Sequence, residues 1–521
     1  MGDAHLWSGG RIFTGTGYSE ALLIEGGRVR FVGRLAEAHR ATPTGAERHD
    51  LGGDLLIPGL IDAHLHLAEM AIEAHGVDVR TVTSTDELLE RVAQWAGDHD
   101  EGPVVGRGWS LPSCTETEWP TRRDLDRVAG GRPVVLFHAS GHAAVVNSVA
   151  LDRLHLDRAA RDPEGGRLGR DSRGEPNGLL FESALSGASG LARESLRDGP
   201  KTLGGVIADL PRWGITAVGT MNTSSAELEA LRSLDARGAM PVRVSAYLGL
   251  RWFASLDEAA IDVEIREGSR LTVAGVKGFA DGAFGTRTAR LSRPYADNPS
   301  TSGMDVDTIR SMTDGFTRAH RHGIGAAAHA LGDLGLEHAL DAIERCDPAP
   351  TGVRDRIEHA GLVPPPLRSR LERMQPVVVV QPIFLWSDAW LSERLGPERV
   401  RSAYPFGSML RSGIVLAGSS DAPFDALDPW TGMHAAIERT DGGGRSANPL
   451  TSEALDAESA VRIYTAGGAA ALGRLELGVL APGRSADLVR LDAPSLEGAI
   501  RRGAQAVRET WSAGVQTYAR R

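Results

Sequence analysis

One feature narrows the fold more than any other. Between Leu55 and Pro423, short runs rich in β-branched or small residues alternate with longer stretches of helical periodicity. Eight runs read as strands: "LLIPGLIDAHLHL", "PVVLFHAS", "GITAVGT", "VAGVKGF", "GIGAAAHA", "RIEHAG", "VVVVQP" and "GIVLAGSSDAP". The segments between them carry apolar residues at helical spacing, as in Ile309, Met312 and Phe316 ahead of Gly323. Strands that alternate with helices form parallel sheets, and eight of them close into a TIM (β/α)8 barrel. A doubly wound sheet is the alternative, but it needs a glycine-rich phosphate loop after the first strand, and "DAHLHL" is not one.

The two ends of the chain read differently. "LWSGGRIFTG" and "ALLIEGGRVRFVG" at the start, and "GVLAPGRSADLVRLDAP" and "RETWSAGVQTY" at the end, are short strands punctuated by glycine turns. Neither end is long enough to bury a core alone. Residues 1–57 and 480–521 are therefore expected to build one small composite β-sandwich domain, beside a barrel over residues 58–479. Long polar stretches near 68–130 and 151–201, among them "RDPEGGRLGRDSRGEPNG", are too long for simple loops; they predict insertions that cover the barrel mouth. "TDGGGRSANP" reads as a mobile loop.

Composition limits the chemistry. Only Cys114 and Cys346 occur among 521 residues, too few for a disulfide framework or a CxxC zinc site, so any metal must be held by nitrogen and oxygen. No apolar run approaches a membrane span and no secretory signal opens the chain, which makes a soluble cytoplasmic protein the expectation. A net charge of -11 argues against nucleic acid or an anionic membrane as a partner and leaves a small-molecule substrate.

Residues i and i+2 of a strand point to one side, so His64 and His66 can reach one cation. The pair alone is weak evidence, because chance supplies about half an HxH to a chain with this histidine content. His320 and His322 are the internal control: they end a predicted helix, where residues two apart diverge around the axis. What distinguishes His64 and His66 is company. Lys277, His329, His359 and Asp421 all fall at the C-terminal ends of predicted strands, where a TIM barrel builds its active site. Each has an ordinary alternative, a core histidine or a turn-capping aspartate, but a lysine in an apolar strand is rarely buried without a reason.

"PGLIDAHLHL", "VKGFADGAFGTRTA", "HALGDLGLEHAL", "RIEHAGLV" and "GSSDAPFDALDP", in this order across nearly the whole chain, resemble the amidohydrolase superfamily, specifically its YtcJ-like (amidohydrolase 3) branch. "GRGWS", "PTRRDLDRV", "RPVVLFHASGHAAVVNSVAL" and "GEPNGLLFESA" resemble the same branch. The resemblance implies that His64 and His66 bind one metal, that His329 and His359 bind a second, and that Asp421 sits at the first metal and contacts the attacking water. It also implies that Lys277 is carbamylated and bridges the two; the other reading is an unmodified lysine paired with Asp281 or Asp421.

A set of imidazoles and oxyanions suits zinc, one ion or two, with manganese, iron, cobalt or nickel as alternatives. The implied activity is metal-dependent hydrolysis of a non-peptide C–N bond with Asp421 as the catalytic acid and base. Lactone or ester hydrolysis and deamination on the same site are alternatives, as is a non-catalytic scaffold. Barrel deaminases carry a glutamate soon after the fifth-strand histidine, whereas this chain reads His329-Ala-Leu-Gly-Asp333. Arg107, Trp109, His142, Asn147 and Glu182 resemble recurring positions of the branch and are expected near the substrate, Trp109 reading equally as a core aromatic. Arg287 is read either as a carboxylate grip or, preferably, as the partner of an acidic neighbour. Homodimers are common in the family, though no residue pattern here demonstrates one.

Overall fold

The computed structural model describes residues 4–99, 102–111, 119–163, 165–194, 199–266, 268–349 and 351–520. Cys114, and with it part of the expected 68–130 insertion, lies outside the described residues. Eight parallel strands form one sheet whose spatial order follows the chain: Leu60–Leu65, Ile215–Thr223, Arg243–Gly249, Leu271–Phe279, Gly325–Ala330, Arg356–His359, Val377–Val380 and Leu416–Gly418. Just beyond the last strand the ring is closed onto the first, where Asp421 N donates to His64 O at 2.9 Å and His66 N to Ala422 O at 2.8 Å. The strands are buried on both faces, as a parallel sheet wrapped in helices requires, so they read as apolar runs rather than alternating ones. This is the expected TIM barrel.

One strand was misplaced by sequence. "PVVLFHAS" does not supply the second barrel strand: Val134–His138 belongs to a separate six-stranded sheet with Val77–Asp78, Val104–Trp109, Ala143–Val146, Pro176–Glu182 and Gly166–Arg170. Its pairing decides the matter. Val134–His138 turns straight back into an antiparallel partner, Ala143–Val146, which leaves no room for a helical crossover. The barrel strand missing from the expectation is Arg243–Gly249, "RVSAYLG", whose arginine and serine disguise a fully buried strand. One error offsets the other, so Lys277 is on the fourth strand in either account.

The two expected insertions are consequently one α/β subdomain between the first and second barrel strands. Successive residues of its sheet alternate between two apolar faces. Val104, Leu136, Val145 and Leu179 serve one core, and Val105, Val135, Phe137, Ala144 and Leu180 the other.

The chain ends assemble two further sheets. Ala4–Ser8, Ala21–Glu25, Arg28–Gly33 and Glu47–Asp50 form the first; Arg11–Phe13, Tyr18–Ser19 and Leu55–Pro58 join Leu488–Leu491, Val507–Ser512 and Val515–Ala519 in the second. Trp7, Ile12, Leu22, Ile24, Leu56, Leu488 and Trp511 pack between them. Among the described residues, no helix is long and apolar enough to cross a membrane.

Candidate metal centre

Candidate ligands from the ends of five barrel strands converge on one cavity of about 310 Å³. His64 lies on the first strand, and His66 directly after it begins the helix Leu67–His75. Their imidazoles face Asp421, whose Oδ1 stands 3.1 Å from Nε2 of each. His359, from the sixth strand, has its ring centroid 5.0 Å from His64 and 4.5 Å from His329 of the fifth. Lys277 of the fourth strand lines the same cavity. All six residues are buried.

Three of the four histidines, His66, His329 and His359, are held as neutral donors. Burial pushes His359 down to about 3, lowers His66, and drives His329 far below the ordinary imidazole value. Burial alone would raise Asp421, but the neighbouring His64 and His66 hold it well below the usual carboxylate range. Lone pairs of neutral imidazole beside a carboxylate, with no thiolate, are the donor set of a divalent transition metal, so the chemistry of these residues fits such an ion.

Further residues, not foreseen from sequence, fix how these rings point. His64 Nδ1 bonds to Glu358 Oε2 at 2.6 Å, which turns Nε2 toward Asp421. Glu358 is gripped by Arg356 through two bonds of 2.8 and 2.9 Å, and neither side chain has any exposure. His359 Nδ1 donates to Gln381 Oε1 at 2.7 Å, and Gln381 is in turn anchored on Ser419. His329 Nε2 donates to Gly282 O at 3.0 Å, which turns its Nδ1 into the acceptor. The only signal for Arg356 and Glu358 was two charges on either side of Ile357, next to a candidate ligand.

Lys277 forms no ion pair with Asp281 or Asp421 among the described residues; its Nζ lies over the Phe279 ring at 5.0 Å, which corrects the paired alternative. Asp281 is occupied elsewhere, accepting the backbone N–H of Leu331, Gly332 and Arg290. Burial brings the Lys277 amine down to about 8, against the pull of Glu358 and Asp421. The left-handed backbone of Asp421 (φ 59°), His359 (φ 73°) and Glu182 (φ 52°) gathers at this cavity, as strained residues do at functional sites.

The expected substrate-facing residues divide. Arg107, His142 and Glu182 line the cavity. His142 Nδ1 donates to Glu182 Oε2 at 2.7 Å, while His138 bonds to Ser140 instead of His142. Arg107 is buried against Phe137 and Phe424, and among the described residues its Nε and Nη1 have no hydrogen-bond partner. Trp109 does not reach the cavity: it is a core aromatic of the insertion, its Nε1 donating to Leu136 O. Asn147 caps the helix Ser148–Arg153. Arg287 grips Asp297 at 2.8 Å, the pairing expected of it rather than a substrate contact. His320 and His322 take separate partners, Asp355 for the first and Glu258 and Asp262 for the second.

Known proteins share this architecture. A model of the Amidohydrolase family matches residues 47–518. The chain is 32% identical over 511 residues to the protein named amidohydrolase YtcJ of Bacillus subtilis (strain 168), covering 93% of this chain and 94% of that one. It is 30% identical over 493 residues to the N-substituted formamide deformylase of Arthrobacter pascens, covering 91% and 90%. The crystal structure of a metal-dependent hydrolase from Pyrococcus horikoshii OT3 superposes with a TM-score of 0.80 at 31% identity, over 96% of this chain and 99% of that one. With the barrel, the cavity and these likenesses together, the chain belongs to the Amidohydrolase family and is a metal-dependent hydrolase of that family.

Proposed function

We propose that the protein hydrolyses a non-peptide C–N bond of a small molecule, in an amide, N-acyl or N-formyl group. The observation that carries this reading is the convergence of neutral histidines and one carboxylate, from separate strand ends, on a single buried cavity. A relative that is an N-substituted formamide deformylase supports the bond type.

His64, His66 and Asp421 would hold one divalent cation, most simply zinc, and His329 with His359 a second. Lys277, buried and without an ion-pair partner among the described residues, would serve as a further ligand in carbamate form, made when its neutral amine adds carbon dioxide and releases a proton. When bound, such a cation lowers the pKa of water toward 7 and polarises a carbonyl.

The chain's own residues handle the proton and the substrate. Asp421 Oδ1 takes the proton of the attacking water and returns it to the departing nitrogen, so the products are a carboxylate and an amine. His142, oriented by Glu182, and the unpartnered N–H groups of Arg107 offer donors to a polar substrate group.

Asp421→Asn should keep bound metal but lower turnover by about a thousandfold; a variant with near-native activity would remove Asp421 from this role. The substrate class is read by assaying N-substituted formamides, N-acyl amino acids, cyclic amides and lactones. Amide turnover that is lost on chelation and restored by zinc is the expected result. Turnover of lactones alone would overturn it.

A further inference from the structure

A second cluster of metal-ligand side chains lies outside the barrel. Ala4–Ser8 and Glu47–Asp50 are parallel neighbours in the β-sandwich, with His5 opposite Glu47 and Trp7 opposite His49. Glu47 and His49 are two residues apart and share a face, so three ligand side chains meet there. His5 Nδ1 is 2.9 Å from His49 Nε2. Glu47 places Oε2 3.5 Å from the first and Oε1 3.8 Å from the second.

We propose that His5, Glu47 and His49 form a second, independent site for a first-row divalent cation, of which zinc is the natural probe. Tetrahedral bonds of zinc to nitrogen and oxygen separate ligand atoms by about 3.3 Å. The two imidazole nitrogens lie 2.9 Å apart, and Glu47 sets Oε2 3.5 Å from one and Oε1 3.8 Å from the other, near that value; the barrel cluster shows 3.1 Å for its histidine–carboxylate pairs. Both groups are such that one atom of each ligand lies within 4.8 Å of the others. The N–H now shared between the two imidazoles moves to the far nitrogen of its ring by tautomerisation, so both become neutral donors without loss of a proton.

The site is also built, not loose. His49 stacks on Trp7 with centroids 4.0 Å apart, and Trp511 packs edge-on against His5 and His49 at 5.2 and 5.5 Å. The histidine side chains are only 14% exposed, whereas Glu47 is 65% exposed and leaves the fourth position to water. A cation here ties the first strand of the sandwich to one more than forty residues later, and stabilises the folded form by mass action.

The test is a zinc titration of the full-length holoprotein with its barrel already metal-loaded, followed by calorimetry and by the thermal midpoint. The wild type should bind one further equivalent and gain thermal stability as zinc is added. Glu47→Gln should weaken that equivalent at least about tenfold, and His5→Asn should remove it. Glu47 is exposed, so its variant keeps the fold even if His49→Asn, which loses the Trp7 stack, does not. Absence of a further equivalent in the wild type, or zinc binding in folded Glu47→Gln and His5→Asn equal to wild type, overturns the proposal. The barrel variant Asp421→Asn should leave the sandwich equivalent untouched, which separates this site from the hydrolase reading.

Discussion

Arg356 and Glu358 are the residues on which the cavity's geometry rests. Two apart on one strand, they point to the same side, into the barrel below the candidate ligands, where Arg356 also donates to Ala63 O and lies over the Tyr247 ring. A charge pair without exposure is tolerated only when every donor and acceptor is used, and here Glu358 also accepts His64 Nδ1–H. Glu358→Gln keeps the volume but sets an amide N–H2 against the guanidinium. It should cost about 3–5 kcal/mol in denaturant unfolding and weaken metal affinity about 10–100-fold. A variant of native stability and affinity would show that His64 does not need this anchor. The ligand candidates were legible because histidine, lysine and aspartate at strand ends have few other uses. Their orienting partners were not, since a sequence does not show which charge a buried glutamate will meet.

At the level of elements, the insertion carries a pH dependence of its own. His138 ends the strand Val134–His138 and packs against Trp109 and Trp119. Burial pushes its imidazole down to about 4, and the neighbouring His142 acts in the same direction. Since the unfolded chain holds this ring near 6.5, only the unfolded state takes up the proton between the two values. Stability from this group is therefore complete above pH 6.5, falls as the pH drops toward 4, and levels off below; the loss amounts to about 3 kcal/mol. The urea midpoint of His138→Gln should lack that part of the slope, and equal slopes in both proteins would refute it. The same element marks where sequence reasoning failed. A short β-branched run reads alike in a barrel and in a mixed sheet, and the antiparallel return at Ala143–Val146 depends on a turn that periodicity does not report.

For the whole molecule, the joint between barrel and sandwich is a buried ion pair. Arg243, the residue that disguised the third barrel strand, bonds Asp487 Oδ1 at 2.6 Å and Ser485 Oγ at 2.9 Å, both from the C-terminal half of the sandwich. Arg243→Met strands the Asp487 carboxylate in the interface and should lower stability by about 3–5 kcal/mol. Arg243→Met/Asp487→Leu should recover most of it, as thermal unfolding would show; a single variant as stable as wild type would mean that the joint does not depend on the pair. The composite sandwich was readable because both ends repeat one pattern of short strands and glycine turns. Its docking was not, because an arginine in a strand looks exposed until its partner, far along the chain, is placed.

The ring closure has a consequence in time as well as space. Asp421 meets His64 and His66 only where the last strand bonds back to the first, through Asp421 N to His64 O and His66 N to Ala422 O. A nascent chain that has made seven strands owns every histidine of the centre and still lacks the carboxylate between them. With Asp421 in the acid–base role proposed above, catalytic competence arrives with the final stitch of the barrel.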